Sequence, residues 1–189
     1  MFNNITLDID SVVHKINLKM RIALFGTHKV GKTTLAEELL EKLPGYTLEV
    51  EPYYQLESSG HEFLEEPTAE DFVEQFNYSA QLISQSGDNV IFDRCVLDIL
   101  AYLHILDPKK NIQFLFEKTF AVLAEIDLLV FVPIEEPDLI PYHKSDLPKL
   151  RSKVNDLLRD WIDDFGIQAI EVNGPLSSRN NQILAKIKS

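Results

Sequence analysis

The sequence predicts an α/β fold in which a five-stranded parallel sheet carries helices on both faces. Three observations point there. Short apolar runs with few polar residues alternate with stretches of helical period, as expected of strands buried on both sides and joined by crossover helices. The chain has 189 residues, 45% of them hydrophobic, enough for one well-buried core, so a single domain is the default. A glycine-containing turn, "GTHKVGKT", lies at Gly26–Thr33, between the first apolar run and the first helical stretch.

The elements follow in order. "MRIALF" (Met20–Phe25) reads as a buried strand. From Lys32 to Leu43, Leu35, Leu39 and Leu43 share a helical face with Ala36 and Leu40, and "PG" ends the run. "YTLEV" (Tyr46–Val50) is a second strand. A helix follows over 68–87, with Thr68 and Asp71 at capping-box spacing, Phe72, Phe76, Ala80 and Ile83 on its apolar face, and Gly87 to end it. "NVIFD" (Asn89–Asp93) is a third strand, succeeded by helical patterns over Val96–Leu106 and Ile112–Ile126. "DLLVFVPI" is the fourth strand and "IQAIEV" (Ile167–Val172) the fifth. Between them Leu150, Val154, Leu157, Trp161 and Phe165 recur at helical spacing, and a last helix spans about Ser178–Ile187. The core pattern begins at Met20, so residues 1–19 read as an N-terminal extension and 20–189 as one domain.

The turn matches G-x-x-x-x-G-K-[ST], with Gly26, Gly31, Lys32 and Thr33 at the fixed positions. Glycines let successive N–H groups turn inward around phosphate oxygens, and Lys32 reaches the β- and γ-phosphates. Thr33 offers its hydroxyl to Mg²⁺, and the helix that starts there directs its positive end at the anion. The preceding strand and following helix supply the context this motif requires. Residues Gly26, Thr27, His28, Lys29, Val30, Gly31, Lys32, Thr33 and Thr34 are therefore expected to cradle the phosphates of a nucleotide. The fold expected is accordingly the three-layer P-loop NTPase fold. Asp93, at the end of the third strand, has the placement of a carboxylate that holds the metal with Thr33.

The stretch "VIFDRCVLDILAY" resembles the "[DE]-R-[SYC]…D…AY" segment of P-loop nucleoside and nucleotide kinases. It is nearest to that of deoxynucleoside kinases, ribosylnicotinamide kinase and the related AAA-type kinase-like domains. The matching positions are Asp93 and Arg94, with Asp98 and Tyr102 as companions. The resemblance implies that Arg94 touches the phosphoryl group in transfer and that Asp93 works near the metal. "EVEPYYQL" carries a second match, Glu51–Pro52. In deoxynucleoside kinases a Glu-Pro here supplies the base for the sugar hydroxyl, a role that suits a hydroxyl acceptor; Glu49 competes for it. Related domains place a lone lid arginine about where Arg151 falls, and a loop past the nucleotide base where Arg179 lies. The lid stretch departs from the arginine-rich pattern of nucleotide kinases, offering only Lys144, Lys149, Arg151 and Lys153.

From Leu43 through Asp93 there is no Lys or Arg and there are eleven acids. In this fold the segment after the second strand forms the acceptor pocket, and a carboxylate wall would repel a phosphorylated acceptor. A neutral or cationic acceptor fits better, with Tyr53 and Tyr54 as stacking surfaces beside Glu51. The alternative is that these acids form a solvated face. Phe72 and Phe76 are read as core.

A formal net charge of −12 argues against nucleic acid and anionic membranes. No signal peptide or apolar run near 18 residues is present, and the one cysteine, Cys95, leaves no disulfide framework. Cys95 reads as a small buried filler. The expectation is a cytoplasmic kinase that uses ATP, with Mg²⁺, to phosphorylate a nucleoside-like small molecule. Lys32, Glu51, Asp93 and Arg94 form its catalytic set. A nucleotide-dependent switch acting on a protein partner is the alternative, and assembly as a homodimer stays open.

Overall fold

A computed structural model describes residues 19–64, 67–138, 140–141, 143 and 147–189. The expected N-terminal extension lies outside the described residues except for Lys19, as do Lys144 of the lid and Glu65 and Glu66 of the acidic segment.

Five strands, β1 (Arg21–Phe25), β2 (Thr47–Glu49), β3 (Val90–Asp93), β4 (Leu128–Phe131) and β5 (Ala169–Glu171), form one sheet in the order β2-β3-β1-β4-β5, and every pairing is parallel. The helices are α1 (Lys32–Lys42), α2 (Pro52–Ser58), α3 (Ala69–Gln85), α4 (Val96–Leu106), α5 (Gln113–Leu123), α6 (Pro148–Asp164) and α7 (Leu176–Ile187). The strands are shorter at their ends than the apolar runs suggested, because outer residues such as Val50 and Ile167 carry side chains of the connections rather than ladder bonds.

Alternation along each strand divides the core into two layers. Ala23, Phe25, Phe92, Leu129 and Phe131 face the layer packed by α3, α4, α5 and α6, whereas Ile22, Leu24, Ile91, Leu128 and Val130 face α1 and α7. Burial on both faces explains why the inner strands β1, β3 and β4 are almost wholly apolar, whereas the edge strands β2 and β5, with Thr47, Glu49 and Glu171, are not buried. The Thr68–Asp71 pair closes a reciprocal capping box at α3: Asp71 N donates to Thr68 Oγ1 at 3.2 Å, and Thr68 N donates to Asp71 Oδ2 at 2.8 Å. Cys95 is buried at the start of α4, and burial pushes its thiol up to about 12, as befits a filler rather than a nucleophile. Among the described residues no helix is long and apolar enough to cross a membrane.

The chain reverses its direction of progress across the sheet at β1. Strands β2 and β3 lie on one side of it and β4 and β5 on the other. The crevice at the carboxyl ends of such strands is where open α/β sheets bind ligands. There β1 runs into Gly26, where a Cβ would sit 2.3 Å from the Val132 carbonyl oxygen, at φ +149°. Gly26→Ala must therefore move backbone, and we expect a loss of at least about 2 kcal/mol, or roughly 5–8 °C in Tm. A thermal melt within 2 °C of wild type would show that the turn rebuilds without strain.

Candidate active site

Residues 26–33 leave β1 and wrap over the start of α1. Gly31 caps α1 at φ +84°, and Lys29 also adopts a left-handed conformation at φ +54°. Alternating handedness of this kind turns successive N–H groups into one concavity. Lys32 is buried, and its Nζ donates to the carbonyls of Gly26 (3.1 Å) and Thr27 (2.8 Å). Burial, and after it the nearby Arg94, lowers its pKa from the ordinary lysine value.

The β3 register sets the positions of Asp93 and Arg94. Leu24 pairs with Asp93, and Arg94 N donates to Leu24 O at 3.0 Å, so both side chains emerge beside the loop. Asp93 is 2% exposed; its Oδ2 accepts from Thr33 Oγ1 at 2.6 Å, and its Oδ1 is buried without a partner. Burial raises its pKa. An orphaned carboxylate oxygen beside a threonine hydroxyl fits a hard divalent cation, which takes oxygen ligands. Among the described residues no group of three or more His, Cys, Asp or Glu could hold a metal, so phosphate oxygens would have to complete the shell.

Arg94 stands at φ +107°, a conformation that costs a non-glycine residue strain and recurs at functional sites. Its Nε lies 3.1 Å from Glu51 Oε1 and 3.7 Å from Asp98 Oδ2, and its guanidinium sits 5.1 Å from the centre of the Tyr102 ring. Burial opposes its charge, but Glu51 and then Asp98 hold it more firmly protonated than an ordinary arginine. Asp98 and Tyr102, one turn apart on α4, also reach the phosphate loop. Asp98 Oδ2 accepts from Gly26 N (3.4 Å), and Tyr102 Oη accepts from His28 N (2.7 Å) and contacts Thr27 Oγ1 (3.0 Å).

Burial pushes the Asp98 carboxyl up to about 6 from 3.8, against the pull of Arg94 and Lys32. The native chain then binds a proton where the unfolded chain is still ionised, so this group's contribution to stability rises as pH falls from about 6 towards 4. Relative to Asp98→Asn, the wild type should gain about 1 kcal/mol per pH unit over that window. Urea midpoints of both proteins across it test this; a difference constant with pH would show that the carboxyl titrates as a solvated one.

Beside this cluster lies a cavity of about 250 Å³. Glu51, at the start of α2, and Arg94 form its polar end. Tyr53 stacked on Phe63 (centroids 4.3 Å apart) and Phe72 stacked on Tyr102 (4.9 Å) form aromatic walls. Gln75, 3% exposed, lines it with a buried Oε1 that has no partner. Glu51 faces this cavity and Glu49, on β2, does not. Among the described acids expected as its wall, only Glu51 and Asp71 reach the lining, while Glu57, Glu62, Glu70, Glu74 and Asp88 are exposed. The acidic run is therefore largely a solvated face, because the helical turn of α3 directs most of its acids away from Phe72 and Gln75. Tyr54 points outward at 56% exposure, while Phe72, expected only as core, is also a wall. Sequence reasoning did not single out Gln75, or the side chain of His28 as a cavity residue. Helical spacing puts Gln75 beside Phe72 on α3, the one signal that could have found it.

A second cavity, of about 380 Å³, is lined by Gly31, Thr34, Ile140, Pro175, Leu176 and Arg179 among others. It flanks the loop at Gly31 and Thr34 and shares no lining residue with the first cavity. Arg179 donates to the carbonyls of Gly174 (2.8 Å) and Val30 (2.7 Å) and pairs with Glu135 (3.0 Å), which also accepts from Gly174 N. Arg151 donates to the carbonyls of His28 (3.0 Å) and Lys29 (2.8 Å) and pairs with Asp138 (2.5 Å).

The AAA domain family matches residues 21–179. No curated protein matches the sequence. Among solved structures, deoxyadenosine kinase from M. mycoides superposes with a TM-score of 0.63 at 17% identity, covering 89% of this chain and 98% of that one. Thymidylate kinase from Candida albicans gives 0.60 at 18% identity, over 90% and 92% of the two chains. NadR protein in complex with NR gives 0.65 at 14% identity, over 92% of this chain and 51% of that one. A family match over most of the described residues, together with this sheet order and loop, places the chain in the AAA domain family, with the fold shared by P-loop kinases.

Proposed function

We propose that this chain is a kinase that transfers the γ-phosphoryl of ATP, with Mg²⁺, to a hydroxyl of a nucleoside-like acceptor that is uncharged or cationic. One observation carries the reading. The phosphate loop opens beside a separate aromatic cavity, and Glu51 and Arg94 stand at the cavity's polar end. Loop binding alone needs no such second cavity. Its aromatic pairs suit a flat ring, the unpartnered Gln75 amide oxygen suits that ring's polar edge, and Glu51 and Asp71 in its lining suit positive charge. The solved structures that superpose include a deoxyadenosine kinase and a NadR protein in complex with NR, which agrees with an acceptor of this kind.

Glu51 takes the proton of the acceptor hydroxyl. The freed oxygen attacks the γ-phosphorus, the bond from phosphorus to the β–γ bridging oxygen breaks, and ADP leaves with that electron pair. Lys32 and Arg94 balance charge on the phosphates. Mg²⁺, held through Thr33 and Asp93, supplies neutralisation of phosphate charge when bound. The sequence holds no "NKxD"-type guanine-reading motif, which favours ATP over GTP, and the base of ATP is assigned to the cavity beside Arg179. In a coupled assay, ATP turnover should rise several-fold or more over background with at least one member of a panel of nucleosides that includes deoxyadenosine and nicotinamide riboside. Turnover equal with and without the panel would overturn the reading and favour a nucleotide-dependent switch. The engagement of Arg151 by loop carbonyls and Asp138 agrees with that second reading, because it keeps a lid cation occupied away from transfer.

A further inference from the structure

The resemblance to kinases implies that Arg151 is a nucleotide-binding residue of the lid. The geometry points elsewhere, and this rests on the nucleotide-binding reading above. We infer that Arg151 is a positioning residue that holds Lys29 in its left-handed conformation, so that the loop presents its N–H groups to phosphate. It is not a phosphate ligand.

Lys29 has φ +54°, a region where an L residue with a Cβ is strained and only glycine is at ease. Something must hold it. Arg151 donates from Nε to His28 O and from its second terminal nitrogen to Lys29 O, the carbonyls of the His28–Lys29 and Lys29–Val30 peptides. In a trans peptide the carbonyl and the N–H point in opposite directions. Pinning these two carbonyls toward Arg151 therefore turns the N–H groups of Lys29 and Val30 the other way.

The neighbouring peptides are held by the same logic. Lys32 takes the carbonyls of Gly26 and Thr27, and Arg179 takes that of Val30. Five consecutive carbonyls, from Gly26 to Val30, thus each accept from a cationic side chain. Arg151 is itself 3% exposed and anchored by Asp138, so its planar fork is committed to the back of the loop.

The test is calorimetric titration of the full chain with Mg²⁺ and a non-hydrolysable ATP analogue, AMP-PNP. Arg151→Ala is expected to weaken binding about 10-fold. Adding Lys29→Gly removes the strain that Arg151 offsets, so the double variant should return to within about 3-fold of Lys29→Gly alone. A double variant that binds no better than Arg151→Ala would overturn the inference, since a lost phosphate contact cannot be rescued by a glycine at 29. Arg151→Lys, which preserves the charge and guards against an alanine variant that does not fold, lacks the planar fork that meets the His28 and Lys29 carbonyls with two separate nitrogens and should bind at least about 3-fold more weakly than wild type. Wild-type affinity in Arg151→Lys would overturn the inference as well. A wild-type chain that gives no binding heat would bring down the nucleotide reading and this inference together, whereas binding by wild type with no glycine rescue removes the inference alone.

Discussion

Glu51→Gln is expected to slow phosphoryl transfer by about 10²–10⁴-fold, the usual contribution of a general base, while ATP affinity stays within a few-fold. The substitution keeps the shape of the side chain and an oxygen for Arg94 Nε, now 3.1 Å from Glu51 Oε1, but removes the capacity to take a proton. Arg94 also retains Asp98 as a counter-charge, so the buried guanidinium is not left without an anion. Glu51 lines the cavity and pairs with Arg94, and its charge acts on the loop lysine Lys32 less than that of Asp98 does, which is why the loss should fall mainly on turnover rather than on nucleotide binding. Single-turnover rates at saturating ATP, with calorimetry of AMP-PNP on the same protein, separate the two. A rate within tenfold of wild type would remove Glu51 as the base. A parallel loss of nucleotide affinity would instead mean that the Glu51–Arg94 pair supports the loop.

The second large effect concerns acceptor charge. Among the described residues that line the acceptor cavity, Arg94 is the only Lys or Arg, and it is already engaged by Glu51 and Asp98. A 5′-monophosphate would bring about two negative charges toward Glu51 and Asp71 without a counter-ion of its own. At an effective dielectric near 20, two unit charges about 4 Å apart interact by about 4 kcal/mol, which corresponds to several hundred-fold in affinity. Nucleosides should therefore bind more tightly than their own monophosphates in matched pairs, by calorimetry with AMP-PNP present. Tighter binding of the monophosphates in most pairs would show that a cation from the lid enters this cavity and that the acceptor is phosphorylated.

The acidic segment shows how partial a reading of charge alone can be. Eleven acids without a single Lys or Arg suggested a carboxylate-lined pocket, yet among the described ones only Glu51 and Asp71 reach the cavity. Neutral walls came from Tyr53, Phe63, Phe72 and Tyr102 instead. The proposal about acceptor charge depends on the missing cations, which composition does show, more than on the number of anions. The short helix α2 was not foreseen either. Its seven residues are too few for a period to register, although Pro52 at its first turn is a recognised start.

By itself the sequence determined the alternation of strands and helices, the phosphate loop, and the candidates Asp93, Arg94 and Glu51. All are local signals: burial on both faces makes a strand uniformly apolar, and a loop that turns its N–H groups inward needs its glycines at set spacings. Only the tertiary structure decided what the side chains do. Gln75 became a cavity residue and Tyr102 a bridge from acceptor cavity to loop, its hydroxyl meeting a residue 74 positions away. Arg151 and Arg179 were legible as cations near the nucleotide, but their partners on the loop lie 123 and 149 positions away along the chain. A local pattern shows that a guanidinium is present. Which carbonyls it satisfies depends on how the sheet order brings α6 and α7 over the loop, because a buried cation takes whichever acceptors the packed fold places within reach.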